Sequence, residues 1–150
     1  MTSWTMRGAT RHDWPKIAAL LAMADLPLAG ADEHLPDFFL AFREDLLVGT
    51  AGLERYGDTA LLRSVAVAST ERGQGLGQAL VRQALAHAAS LGLRQVVLLT
   101  TTAADFFPRF GFQPINRAEV PLAAQASVEF QEACPASASV LSLVLEPEKR

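Results

Sequence analysis

Cysteine occurs once, at Cys134, so no disulfide can close within the chain and neither a Cys-x-x-Cys redox pair nor a cysteine-rich zinc site can be built. The three histidines, His12, His34 and His87, lack metal-ligand spacing. Tyrosine also occurs once, at Tyr56, which leaves a single phenol for any acid–base role. Positive charge is scarce too, with 13 Lys and Arg against 16 Asp and Glu and a formal net charge of -3. A broad nucleic-acid surface needs several clustered cations on phosphates, so this balance argues against one while leaving room for a local anion pocket. No apolar run approaches the roughly 20 residues of a membrane-spanning helix, and the stretch Met1 to Gly8 lacks the apolar core of a secretory signal. The expectation is a cytoplasmic protein without nucleic-acid or membrane partners. Repeats, low-complexity linkers and long charge blocks are absent as well, which favours one domain over residues 1–150.

What is present is a globular composition: half of the 150 residues are hydrophobic and 19% are charged, enough to bury a core without staples. Trp4 to Ala9 reads as a strand. Thr10 with Asp13 makes a capping-box-like start for a helix through about Ala24, ended by Pro27 and Gly30. A short helical or irregular piece is expected near Ala31 to Leu35. Three strands follow, Phe38 to Arg43, Leu46 to Arg55 and Thr59 to Ala68, separated by the turn formers Glu44-Asp45 and Gly57-Asp58. From Leu76 the apolar positions Leu76, Leu80, Ala84, Ala88 and Leu91 recur at helical spacing, and Gly92 stands where the helix stops. This stripe makes His87 a solvated residue of the polar face. Gln95 to Thr100 is an apolar run suited to a buried strand, tied to the preceding strand through that helix as a βαβ unit. A short helix over Ala103 to Phe110 closed by Gly111, a strand near Phe112 to Asn116, a helix around Leu122 to Ala133 and a last strand, Ser139 to Leu145, complete an α/β domain with a mixed sheet.

The segment with the most chemistry is Arg72-Gly73-Gln74-Gly75-Leu76-Gly77, between a strand and a helix. Missing side chains let backbone N–H groups approach a ligand, and the first turn of a helix offers unpaired N–H groups and a partial positive charge. A diphosphate bound there meets both, and Arg72 can add a charge-assisted contact. A tight turn with three glycines is the bland alternative. The stretch has neither the Gly-Lys-Ser/Thr ending of a P-loop nor the spacing of G-x-G-x-x-G; it fits Arg/Gln-x-x-Gly-x-Gly/Ala.

With that loop, the sequence resembles the GNAT superfamily of N-acetyltransferases. Val65-Ala66-Val67 stands for the end of the family's fourth strand, and Ala103 to Phe112 for its "A-x-x-F-Y-x-x-x-G-F" segment. Ala60 to Val67, Leu98 to Ala103 and Cys134 to Ala138 are more closely similar to the arsenic-resistance-associated branch, and the Leu-Thr-Thr stretch with Gly-Phe downstream is similar to the acetyltransferase domain of N-acetylglutamate synthases. The resemblance implies a GNAT fold, a mixed six- to seven-stranded sheet with a splayed central parallel pair, that binds acetyl-CoA as cosubstrate. In that family the pantetheine arm lies along the fourth strand like an added strand, so Val65, Ala66, Val67, Arg72, Gly73, Gln74, Gly75, Leu76, Gly77, Gln78 and Phe107 are the expected cofactor-binding residues. The acceptor is expected to be a small, amino-acid-like amine, in keeping with both relatives, with arsenic resistance as the context the first branch suggests. A homodimer, with the C-terminal strand as contact, follows by the same analogy.

The resemblance leaves the acid–base groups open. The family's tyrosine general acid is replaced by Phe107, which cannot donate a proton; a thiol of pKa near 8.5 is, however, a good leaving group. Tyr56 is the substitute acid, or else a half-buried aromatic at a turn. Glu54, on the neighbouring strand, is the candidate base, acting through water, or else a solvated glutamate. Arg63, with Ser64, is the candidate acceptor site, holding a carboxylate by a two-pronged contact, or else a partner in a strand-edge salt bridge. Cys134 has no base placed near it and reads as a buried apolar residue. Phe106, Phe110 and Phe112 read as core. The missing tyrosine also motivates a second class of function, a CoA-binding sensor without turnover, and a protein or peptide acetyltransferase is a third.

Overall fold

The computed structural model describes residues 3–130 and 138–145. Its elements are β1 (Thr5–Gly8), α1 (Trp14–Met23), β2 (Phe38–Arg43), β3 (Leu46–Tyr56), β4 (Thr59–Val67), α2 (Leu76–Ser90), β5 (Gln95–Thr100), β6 (Gln113–Pro114) and β7 (Ser139–Val144). The strands form one mixed sheet in the order β1-β2-β3-β4-β5-β7-β6. Only β4 and β5 run parallel, joined by the α2 crossover, as the βαβ reading requires.

The sheet divides the core in two. On one face the α2 stripe of Leu76, Leu80, Val81, Ala84 and Ala88 is buried against Val48, Leu62, Val96 and Leu98; this apolar burial is the principal driving force for the layer. On the other face α1 covers β2 and β3 through Ile17 and Leu21 against Phe38 and Leu40, and the segment from Val120 to Phe130 covers Leu61, Val97 and Val140. Close approach explains Gly52: a Cβ there would lie 2.2 Å from the Phe38 ring that crosses it from β2. The seam between these two covers, over β3 and β4, holds polar side chains.

The α1 start is as expected, with Thr10 and Asp13 forming a capping box, although the first turn, Arg11–Asp13, is 3-10 and the α-helix begins at Trp14 with Pro15 beside it. Arg7 grips the Asp13 carboxylate with both Nη atoms at 2.8 Å.

Four expectations need correction. The helix expected over Ala103 to Phe110 is a single 3-10 turn, Phe107–Phe110; Pro108 lacks a donor, and the ring contacts of Phe106, Phe107, Phe110 and Phe112 hold the segment instead. The strand near Phe112 to Asn116 shrinks to Gln113–Pro114, where proline breaks the ladder. The helix expected around Leu122 to Ala133 starts late: Ala124–Ala126 is a 3-10 turn, Val128 to Phe130 are helical, and residues 131–133, like Cys134, lie outside the described residues. His87 is not solvated: its Nε2 lies 2.9 Å from Oδ1 of Asp37, whose Oδ2 accepts from Arg55, and its ring packs edge-on against Phe39. In addition β7 lies between β5 and β6, and β6 pairs with it only at Leu141 and Ser142. No helix among the described residues is long and apolar enough to cross a membrane.

Candidate active site

The β4 strand is irregular at its middle. Thr50 pairs with Ala66 and Gly52 with Arg63, so the single residue Ala51 faces both Ser64 and Val65. Ser64 takes φ +59°, and the Thr50 hydroxyl donates to its carbonyl at 2.6 Å. This bulge shifts the alternation by one residue: Leu61 and Arg63 point to the α1 face before it, and Ala66 does so after it. Pairing with β5 stops at Leu61↔Val97, well before the bulge. Beyond it β4 and β5 diverge, and β4 is left with an open edge from Leu62 to Val67. Because Ala68 N–H donates to Val48 across β3, strand alternation turns the Val67 N–H the other way, toward the gap.

A cleft of about 350 Å³ fills that gap. One wall is Arg63 to Val67, the other Leu98 to Ala103, with Phe107 and Glu129 closing it and the Ala24–Pro27 loop at its rim. A second cleft of similar size shares Val67 and Arg72 as lining residues. That second cleft lies on the α2 N-terminus, walled by Arg72, Gly73, Gly75, Leu76, Gly77 and Gln78, with Phe106 and Arg109 opposite. Gly75 is the N-cap at φ +86°, a left-handed conformation that a side chain resists. The intrahelical ladder starts at Ala79, whose N–H donates to Gly75, so the amides of Leu76, Gly77 and Gln78 face outward at the positive end of the dipole. Arg72 is exposed, and Arg109, which the sequence reading overlooked, sits across the cleft with its guanidinium 4.7 Å over the Phe106 ring. The loop itself is anchored by Glu71. Its carboxylate accepts from Arg43 and from Trp4 Nε1 (3.0 Å), and these bonds, Arg43 first, lower its pKa to about 2.

The predicted acid–base and acceptor residues gather in the seam over β3 and β4. Glu54 and Arg63 are both buried, joined by an Nη1–Oε2 bond of 2.7 Å. Arg63 also donates from Nη1 to Ala29 O (2.8 Å), from Nη2 to Pro27 O (3.0 Å) and from Nε to Ser64 Oγ (3.0 Å), and Nε lies 3.2 Å from Glu129 Oε2. This corrects the expected two-pronged clamp: at most one N–H is left, so Arg63 cannot present its fork to an acceptor carboxylate. Tyr56 donates to Glu54 Oε1 at 2.5 Å. Burial and then this bond push the phenol up to about 12, which holds its proton on Glu54. Burial raises the Glu54 carboxyl, but bonds from Tyr56, Ser127 and Arg63 outweigh it and the net shift is downward. Neither Glu54 nor Tyr56 lines the cleft. Glu129, which does, was missed by the sequence reading because only the fold brings it to Arg63, far from it in sequence. Among the described residues no group of three or more His, Cys, Asp or Glu side chains could hold a metal.

An open strand edge leading to a glycine-capped helix N-terminus is the arrangement of an acetyltransferase fold, and the comparisons agree. Residues 34–114 match the acetyltransferase (GNAT) domain, and the chain belongs to that family. It is 33% identical over 90 residues, 59% of this chain and 57% of the relative, to the uncharacterized N-acetyltransferase CT2212 of Chlorobaculum tepidum. It is 26% identical over 119 residues, 78% of this chain and 26% of the relative, to the amino-acid acetyltransferase of Photorhabdus laumondii. Rv2747 from Mycobacterium tuberculosis, solved in complex with CoA, superposes with a TM-score of 0.79 at 27% identity, covering 95% of this chain and 99% of that one. The chain thus spans about half the length of the first of these curated relatives and a quarter of the second.

Proposed function

We propose that the protein is an acetyl-CoA-dependent N-acetyltransferase acting on the amino group of a small, amino-acid-like acceptor by direct transfer in a ternary complex. The observation that carries this is the adjacency of the two clefts: the one on the α2 N-terminus and the one along the unpaired β4 edge share Val67 and Arg72 as lining residues. The pyrophosphate of acetyl-CoA would meet the amides of Leu76, Gly77 and Gln78 with Arg72 and Arg109 to either side. Its pantetheine arm would extend along Val65 to Val67, leaving the thioester in the cleft beside Phe107. The Val67 N–H, aimed into the gap, suits the carbonyl oxygen as charge grows on it. Phe107 offers no proton and Tyr56 is held on Glu54, so the thiolate leaves without a phenolic acid, which its low basicity permits.

The acceptor class rests on the amino-acid acetyltransferase relative, and the resemblance to the arsenic-resistance-associated branch adds arsenic- and phosphorus-containing amino-acid analogues to the candidates. The test is thiol release from acetyl-CoA across amino acids, those analogues, polyamines and peptides, with the acetylated product identified by mass. Release above hydrolysis with an amino-acid-like acceptor supports the reading; release only with peptides replaces it by protein acetylation. Phe107 in the tyrosine position favours one further reading, a CoA-binding sensor, for which CoA binds and no acceptor is acetylated.

A further inference from the structure

Resting on the N-acetyltransferase reading above, we infer that Arg82 and Arg109, carried on the rings of Phe110 and Phe106, seat the 3′-phosphate of the cofactor's ribose, so that the protein selects CoA over dephospho-CoA. CoA carries two separate phosphate groups, a diphosphate between pantetheine and ribose and a phosphate monoester on the ribose 3′-oxygen. The α2 amides with Arg72 and Arg109 answer the first. Arg82 lies beyond what the diphosphate needs.

Placement supplies the first reason. A Cβ on Gly77 would lie 3.6 Å from the Phe106 ring, so this ring covers the first turn of α2. Phe106 meets Phe110 in a T-shaped contact with centroids 5.4 Å apart. Arg109 holds one end of the row, 4.7 Å over Phe106, and Arg82 the other, 5.8 Å from the centroid of Phe110. Along α2, Arg82 stands one turn beyond Gln78, about 6 Å up the axis, with its Nη2 3.5 Å from Gln78 Oε1. Gln78 itself lines the diphosphate cleft with Phe106 and Arg109. Arg82 is therefore beside that cleft, a step away that the ribose between the two phosphate groups can span.

Charge supplies the second reason. Arg7, Arg43, Arg55 and Arg63 are each paired with a carboxylate. Arg72, Arg82 and Arg109 have no carboxylate within salt-bridge distance among the described residues. A phosphate monoester carries about two negative charges near neutral pH, and two guanidinium groups can meet it with charge-assisted bonds.

Preorganisation supplies the third. Phe106 and Phe110 pack against the α2-side core, so both cations rest on anchored rings. Arg109 also donates from Nε to Phe106 O at 2.7 Å, which fixes its stem and leaves its Nη groups to face an anion. Side chains already held in place lose less freedom when a ligand arrives. Arg109, on the cleft wall, reaches both phosphate groups; Arg82 reaches only the second.

The test titrates CoA and dephospho-CoA by calorimetry into wild type, Arg82→Gln and Arg72→Gln. Wild type should bind CoA at least fivefold more tightly than dephospho-CoA. Arg82→Gln should lower that ratio at least threefold, the loss falling on CoA, and its binding of dephospho-CoA also reports that the variant is folded. Arg72→Gln should weaken both ligands and lower the ratio less than Arg82→Gln does. A wild-type ratio below fivefold, a change under threefold in Arg82→Gln, or an equal or larger fall in Arg72→Gln overturns the inference and leaves the acetyl-transfer reading standing. That reading fails separately, when wild type binds neither ligand or releases no thiol from acetyl-CoA with any acceptor.

Discussion

Replacing Arg63 with methionine should unfold the protein more readily rather than simply weaken acceptor binding. The Arg63 side chain has no exposed surface and meets two carboxylates, two backbone carbonyls and a hydroxyl, all at 2.7 to 3.2 Å. Methionine fills much of the same volume but leaves Glu54 and Glu129 buried without their cation. Breaking a buried pair from one side costs about 3–5 kcal/mol, a large share of the roughly 5–15 kcal/mol that holds a domain together. At ~2–4 °C per kcal/mol for a chain of this size, melting should fall by roughly 6–20 °C. Adding Glu54→Gln removes one of the stranded charges, so the double variant should recover part of the loss, with a coupling of about 1–3 kcal/mol. Urea denaturation of wild type, both single variants and the double variant, followed by circular dichroism, measures all four corners. A loss below about 1 kcal/mol for Arg63→Met, or additive single losses, would refute the view that this cluster is a buried, mutually dependent unit.

Three other outcomes are expected. Gly75→Val places a branched side chain at φ +86°, a strain of roughly 1–2 kcal/mol, and crowds the anion site, so CoA affinity by calorimetry should drop at least tenfold; unchanged affinity would detach this loop from the pyrophosphate. Phe107→Tyr restores the phenol of the family pattern, yet kcat should change less than threefold because the thiolate leaves unaided; a tenfold rise would show that protonation of the thiolate is limiting. Glu71 has its pKa lowered from 4.5 to about 2, so its stabilising effect is complete above the unfolded value and lost as pH falls through the folded one. The stability gap between wild type and Glu71→Gln should be constant above pH ~5 and shrink from about pH 4.5 toward 2; a gap that widens on acidification contradicts the ion-pair anchor.

The glycine loop and the helix after it were legible because their signal is local. Glycines at fixed offsets between a strand and an amphipathic helix encode the loop, and the helical stripe from Leu76 to Leu91 placed α2, which runs from Leu76 to Ser90. The meander was legible for the same reason, through alternation and the turns at Glu44-Asp45 and Gly57-Asp58. The acceptor side was not, because it is assembled from distant pieces. Arg63 meets carbonyls of Pro27 and Ala29 some 35 residues earlier and a carboxylate from Glu129, in the C-terminal part of the chain. The same cause misled the reading of His87, whose helical position is polar but whose partner Asp37 is supplied by the chain before β2. The Ser64 bulge left no trace either: a serine at positive φ is sustained by the Thr50 hydroxyl and the β3 register, both tertiary facts.

The central claim, that acetyl-CoA lies from the α2 N-terminus along the open β4 edge, is tested most directly by titrating CoA into 15N-labelled protein and mapping amide shifts. Saturable changes should concentrate at Leu76, Gly77, Gln78 and Val65 to Val67, with the β1–β2 amides unmoved. Absence of binding, or shifts confined to surfaces away from these two segments, would contradict it.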